Sequence, residues 1–135
     1  MVKMKSADMN IDKIMTKDLV TATVDNTVEE VVDIMIENDV ECVPVVDEDA
    51  VLHGLVTFRD IVMKVVYPPE RARNIKVKKI MSRNLVTCSI GSTVLDVVKI
   101  MKNKHLRRIP IVDPQNRLVG LVTDFDLALL GWDFK

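Results

Sequence analysis

From Leu19 to Val24 the chain is apolar and β-branched, a pattern that predicts a short strand. Asp25-Asn26-Thr27 follows, and Thr27 with Glu30 three residues on has the spacing of a capping box. Beyond it Val28, Val31, Val32, Met35 and Ile36 recur at helical spacing, so a helix with one apolar face is expected. Val43 to Val46 reads as a second strand. Pro44 inside it predicts an edge or a strand start, because proline has no amide hydrogen to give a ladder. Asp47-Glu48-Asp49 reads as a turn, Val51 to Val56 as a third strand, and Thr57-Phe58-Arg59-Asp60 as the start of a second helix. The order is β-α-β-β-α.

The same pattern returns, without a gap, at an offset of 66 residues. Lys13-Ile14-Met15 matches Lys79-Ile80-Met81, and Leu19-Val20-Thr21 matches Leu85-Val86-Thr87. Val31-Val32-x-Ile34-Met35 matches Val97-Val98-x-Ile100-Met101, and Pro44-x-Val46-Asp47 matches Pro110-x-Val112-Asp113. Gly54-Leu55-Val56-Thr57 matches Gly120-Leu121-Val122-Thr123, with Asp60 matching Asp126. The chain is thus an internal duplication: a first repeat over 11–66, a linker over 67–76 carrying Pro68-Pro69, and a second repeat over 77–132. One repeat is too small to close a good core alone, so the two are expected to share one. The expected fold is α+β, two β-α-β-β-α repeats packed through their sheets about a pseudo-two-fold axis. A duplication of this kind creates a cleft with two related sites, and joins of this sort are preferred places for ligands.

Composition narrows the function. Of 135 residues 48% are apolar and the net charge is −1, so there is no global pull toward nucleic acid or a membrane surface. No apolar run has spanning length and no signal peptide is evident, which makes the cytoplasm the default location. Cys42 and Cys88 form no CxxC, and His53 and His105 have no neighbours at ligand spacing, so no metal site and no disulfide are expected and both thiols read as buried. The basic run from Arg71 to Arg83 has no interleaved aromatics and reads as a solvated linker, not a nucleic-acid stripe. The apolar tail from Leu129 to Phe134 reads as packing either on its own core or on another subunit, with Trp132 and Phe134 favouring an interface.

The sharpest local feature is Gly54-Leu-Val-Thr57-x-x-Asp60, repeated as Gly120-Leu-Val-Thr123-x-x-Asp126, where a strand passes into a helix. Its plain reading is structural, since Thr at the N-cap and Asp three residues on make a good helix start. Its functional reading uses the same geometry. Free amides at a helix N-terminus suit a phosphate, a carboxylate one turn in can accept from vicinal ribose hydroxyls, and a glycine lets a ligand approach the backbone.

The doubled motif, the apolar-Pro-apolar-apolar-Asp strand and the gapless duplication resemble a tandem pair of cystathionine-β-synthase (CBS) domains, the arrangement called a Bateman module. The resemblance runs from about Ile11 to Leu130. It implies a regulatory module, not an enzyme, binding AMP, ADP or ATP, with S-adenosylmethionine a weaker fit. It further implies a homodimer that signals to an unidentified partner protein. The family's ligand residues carry over to Thr16, Thr21, Val40, Thr57 and Asp60 in the first repeat. In the second they are Ser82, Thr87, Leu106, Thr123 and Asp126. Arg107 and Arg108 stand where family members often place basic side chains near phosphates, while the first repeat has Glu41 and Cys42 there; the plain alternative is a solvated face at the end of a helix that stabilises its dipole. The rival expectations are a dimerisation module without ligand and a nucleic-acid-binding module. No catalytic residues are expected.

Overall fold

The computed structural model describes residues 7–65 and 74–133, with the side chains of the last helix as far as Leu130. Most of the expected linker, including Pro68-Pro69, Arg71 and Arg73, lies outside the described residues, as do Phe134 and the side chain of Trp132.

The elements are β1 (Ala22–Thr23), α1 (Val28–Asn38), β2 (Cys42–Val46), β3 (Leu52–Thr57) and α2 (Phe58–Lys64), followed by β4 (Cys88–Ser89), α3 (Val94–Lys104), β5 (Arg108–Val112), β6 (Leu118–Thr123) and α4 (Asp124–Asp133). Each half therefore reads β-α-β-β-α. Each builds a three-stranded sheet in which the middle strand lies parallel to the first and antiparallel to the third, in the orders β1-β2-β3 and β4-β5-β6. No helix among the described residues is long and apolar enough to cross a membrane.

The chain divides into two compact units, one of Val20–Leu85 and one of Met1–Leu19 with Val86–Lys135. The segment ahead of each repeat's first strand thus belongs with the other repeat. Around Ile11, the Ile11 amide donates to Ser92 O at 2.8 Å, Val94 N donates to Met9 O at 2.8 Å, and Thr16 exchanges two bonds with Leu121 on the outer edge of β6, at 2.9 and 3.0 Å. In the other unit Val77 N donates to Asn26 O at 2.8 Å, Val28 N donates to Ile75 O at 2.8 Å, and Ser82 exchanges bonds with Leu55 on the edge of β3 at 2.8 and 3.0 Å. Ile11 and Val77 are fully buried, each in its own unit's core.

Those cores follow from the sequence pattern. On α1, Val28, Val31 and Met35 pack against Val43, Val45 and Val56, and on α3, Val94, Val97 and Met101 pack against Ile109, Ile111 and Val122. Both helices carry complete capping boxes, Thr27 with Glu30 and Thr93 with Asp96. The N-cap hydrogen bonds hold Glu30 and Asp96 below the usual carboxylate range. Both helices end on a residue in the left-handed region, Asp39 and His105.

Three expectations need correction. The strand expected from Leu19 to Val24 is only Ala22–Thr23, because β1 pairs solely with Val45 and Val46 and the Asn26 side chain then takes Thr23 N at 2.8 Å. Pro44 lies in the middle strand, not on an edge. Opposite it, Leu55 gives both its backbone groups outward to Ser82, so Pro44 and Leu55 form a non-hydrogen-bonded pair. The proline nitrogen therefore points away from β3, and no β2–β3 ladder bond is lost. Finally, Cys88 is buried, which pushes its thiol pKa up, but Cys42 is only half-buried.

The β2–β3 turn closes through Ala50 N to Asp47 O at 3.0 Å, with Asp47 Oδ1 accepting from Asp49 N at 2.9 Å and Val51 N at 3.0 Å. His53, across the hairpin, meets Asp47 Oδ2 at 2.9 Å, a partner that sequence spacing did not suggest. The turn demands a left-handed residue, Ala50 at φ 67° here and Asn116 at φ 62° in the second hairpin. Alanine is strained there by about 1–2 kcal/mol, whereas glycine and asparagine tolerate it. Ala50→Asn or Ala50→Gly is therefore expected to stabilise by roughly 1 kcal/mol, a rise of a few degrees in Tm, and Asn116→Ala to do the reverse. Thermal melts of the three variants check this; an unchanged or lowered Tm in both Ala50 variants would show that the turn carries no such strain.

Candidate functional site

Because β1 and β2 run parallel and β3 returns antiparallel, the start of β2 and the end of β3 lie at one end of the sheet. There Cys42 pairs with Thr57, and Phe58 N donates to Glu41 O at 3.0 Å, one residue beyond Val40. Thr57 caps α2. Its Oγ1 accepts from Asp60 N at 3.2 Å, and Asp60 Oδ2 in return accepts from Thr57 N at 2.9 Å and Thr57 Oγ1 at 3.2 Å. Ser82 adjoins on the edge of β3, two residues from Thr57 in register. Thr21 sits just before β1, on the other flank of β2.

The second unit repeats the arrangement. Thr123 Oγ1 accepts from Asp126 N at 3.1 Å, and Asp126 Oδ2 accepts from Thr123 N at 2.9 Å. Leu106 follows the left-handed His105, its amide bonded to Met101 O at 3.0 Å. Thr16 stands on the edge of β6 and Thr87 ahead of β4. The structure thus groups Thr16 with Thr123 and Asp126, and Ser82 with Thr57 and Asp60, the opposite of their places in the sequence repeats.

Two details of the functional reading change. The free helix amides expected to suit a phosphate are mostly taken by the chain itself. At α4, Asp124 N donates to Arg107 O at 2.8 Å, Phe125 N to Asp124 Oδ1 at 2.9 Å, and Asp126 N to Thr123 Oγ1. At α2, Phe58 N and Asp60 N are consumed in the same way. The glycines do not leave room for a ligand either. A Cβ on Gly54 would stand 2.6 Å from Met81 Sδ and 2.9 Å from Ser82 O, and one on Gly120 would stand 2.7 Å from Met15 Cγ. Neither glycine has a positive φ, so each is there for close approach, and what approaches is the unit's own methionine.

The basic pair is placed unevenly. Arg107 is 77% exposed and its Nε meets Asp124 Oδ2 at 3.2 Å, while Arg108 is half-buried as the first residue of β5. The Asp124 counter-charge was not legible from spacing, since it depends on β5 and β6 meeting in register at Arg108 and Thr123. Lys64 was missed as well. Its Nζ reaches Asp60 Oδ1 at 3.2 Å and donates to Ile80 O at 2.8 Å. The acid-to-lysine spacing of four on a helix could have flagged that pair.

A doubled β-α-β-β-α unit whose strand-to-helix junctions each carry a reciprocal Thr–Asp pair defines a class of tandem domain-pair modules. The CBS domain family matches residues 11–67 and 77–131, and the chain belongs to that family. Among curated relatives, an uncharacterized Methanopyrus kandleri protein, MK0525, is 31% identical over 88% of this chain and 61% of its own length. An inosine-5′-monophosphate dehydrogenase of Methanocaldococcus jannaschii is 31% identical over 86% of this chain and 22% of its own. The chain therefore spans only part of each. Among solved structures, the CBS domain pair of protein MJ0100, in complex with 5′-methylthioadenosine and S-adenosyl-L-methionine, superposes with a TM-score of 0.81 at 28% identity, over 94% of this chain and 98% of that one.

If the glycines are needed by Met81 and Met15, a single methyl should be felt. Gly54→Ala and Gly120→Ala are each expected to destabilise by about 1–3 kcal/mol through overpacking. Met81→Ala should recover part of the Gly54→Ala loss, which a double-mutant cycle in denaturant would read. Additive losses, or an unaffected Gly54→Ala, would contradict the packing role.

Proposed function

We propose that this chain is a regulatory module that binds adenine nucleotides and, as a homodimer in the cytoplasm, reports their presence to a partner protein. The observation that carries the ligand class is the similarity to the MJ0100 pair, which holds two adenosine-containing molecules. In one unit the binding residues are Thr21, Val40, Thr57, Asp60 and Ser82; in the other they are Thr16, Thr87, Leu106, Thr123 and Asp126. The aspartates serve the ribose. Each spends Oδ2 on the cap, and the remaining oxygen is the acceptor for the sugar hydroxyls. Arg107 and Arg108 favour phosphate over a cationic sulfonium. The Arg107–Asp124 pair does not oppose this strongly, because so exposed a pair is worth about 0–1 kcal/mol and a phosphate can take the guanidinium over.

The match to part of a dehydrogenase supports a regulatory role in a larger assembly. Homodimerisation is supported by apolar side chains left exposed on the helices: Ile36 on α1, Phe58, Val62 and Met63 on α2, Leu95 and Val98 on α3, and Phe125 and Leu129 on α4.

Melting with AMP, ADP, ATP and S-adenosylmethionine tests the ligand. At a hundred times its Kd a ligand adds about 2.7 kcal/mol, a shift of several degrees. All three nucleotides are expected to exceed S-adenosylmethionine, and the 2′-deoxy forms to bind about tenfold or more weakly, as loss of a hydrogen bond to a carboxylate implies. A flat response to every adenosine compound would refute the ligand class, and a larger shift with S-adenosylmethionine would refute the preference for phosphate.

Light scattering tests the oligomer. A dimer is expected at tens of micromolar, roughly the range of weak regulatory contacts, and Val62→Glu with Met63→Glu should return a folded monomer. A monomeric wild type, or a dimer indifferent to both changes, would show that these faces do not pair.

A further inference from the structure

The two Thr–Asp pairs are alike in their caps and unlike at the oxygen the cap leaves over. Oδ1 of Asp60 is held by the Lys64 ammonium at 3.2 Å, and the same Nζ donates to the Ile80 carbonyl at 2.8 Å. The lysine is thereby fixed between a helix carboxylate and a backbone oxygen of its own unit, and the Asp60 side chain is only 12% exposed. At the corresponding place in the other unit stands Leu130, which cannot make either contact. Among the described residues Oδ1 of Asp126 has no ion-pair or hydrogen-bond partner.

From this difference we infer that Lys64 acts as an internal plug on the Asp60 carboxylate, so that the Asp126 site takes ligand first and the Asp60 site fills only when Lys64 is displaced. The inference rests on the ribose role proposed above and ranks the two sites. The chemistry is competition for one acceptor. A diol that approaches Asp126 meets a carboxylate oxygen with both lone pairs available. A diol that approaches Asp60 must first part Lys64 from Oδ1 or share a crowded oxygen with it. The lysine is half exposed, so its pairing is weakened by solvent, and its bond to Ile80 O adds to the hold. The handicap at the Asp60 site is on the order of tenfold in affinity, a sum of two modest contacts and not a full block. Lys64 is a specificity-determining residue in this scheme, and the ligand-dependent step it controls is filling of the second site.

Calorimetric titration of the full chain with AMP tests this in five proteins: wild type, Lys64→Leu, Leu130→Lys, Asp60→Asn and Asp126→Asn. The wild type is expected to show two phases about tenfold apart in Kd. Asp126→Asn should remove the tight phase and Asp60→Asn the weak one. Lys64→Leu, which copies the residue of the other unit, should strengthen the weak phase about tenfold and leave the tight one alone. Leu130→Lys should weaken the tight phase by a similar factor, and Lys64→Met repeats the test should Lys64→Leu fold poorly. Equal phases in the wild type would overturn the inference. So would loss of the tight phase in Asp60→Asn, or a weaker second phase in Lys64→Leu, which would make the lysine a ligand contact. Each of these outcomes leaves the adenosine ligand standing. Absence of heat and of any thermal shift, in wild type and Lys64→Leu alike, with every adenosine compound would instead overturn the proposed ligand and this inference with it.

Discussion

Each unit is organised around a methionine laid on a glycine at the outer edge of its sheet: Met81 on Gly54, and Met15 on Gly120. The contact needs a strand edge without side chains and a second segment bonded alongside it. Ser82 and Thr16 provide that alignment through paired backbone bonds to Leu55 and Leu121. From it follow the burial of Ile80 and Met81 in one core and of Met15 in the other. It also explains how a proline can occupy the middle strand, because Leu55 and Leu121 turn their backbone groups outward to these segments and away from Pro44 and Pro110. One unit draws this edge from residues just past its own last helix, the other from residues about a hundred positions earlier. The second unit therefore carries the higher contact order and the slower closure expected of it.

The carboxylate at each strand-to-helix junction is placed so that one side chain can serve stability and, on the proposed reading, recognition together. A capping box uses one oxygen and stabilises a helix start by about 0.5–2 kcal/mol. The other oxygen is not needed for that purpose. The structural and the ligand-binding readings of Thr57–Asp60 and Thr123–Asp126 are thus compatible, and a ligand can use geometry that the fold already holds rigid. The same economy explains why the helix amides are a poor phosphate site here: the fold consumes most of them, and an anion would have to meet exposed cations such as Arg107.

Much of the fold was legible because it rests on local signals. The helical stripes, the four capping boxes, the hairpin turns and the gapless duplication are all sequence-local. What was not legible depends on partners far along the chain. Pro44 reads as an edge residue until Leu55 is known to bond outward. Gly54 reads as open space until Met81 arrives from 27 positions away. Thr16 and Ser82 read as members of their own repeats because periodicity carries no information about which sheet edge a segment joins. Among the candidate site residues, the Thr–Asp cap pairs were legible because their spacing is local, and the grouping of Thr16 and Ser82 with them was not.

The duplication itself points to where this chain has diversified. Positions that build the scaffold agree between the copies: Gly54 and Gly120, Thr57 and Thr123, Asp60 and Asp126, Met81 and Met15 in their reciprocal places. Positions that ring the Thr–Asp pair do not. Glu41 faces Arg107, Cys42 faces Arg108, Phe58 faces Asp124 and Lys64 faces Leu130 in the alignment of the copies. Each exchange alters charge or polarity beside the capping threonine, across the sheet or next to it in the chain, or one helical turn beyond the aspartate, and leaves the capping bonds intact. Were both scaffolds to take a charged ligand, as proposed, their unlike surroundings would hold it unequally, since neither an arginine nor a lysine near the Thr–Asp pair is matched by its counterpart. On the proposed reading, a graded response to ligand concentration would need no conformational change, because two sites of different affinity on one chain would fill in sequence.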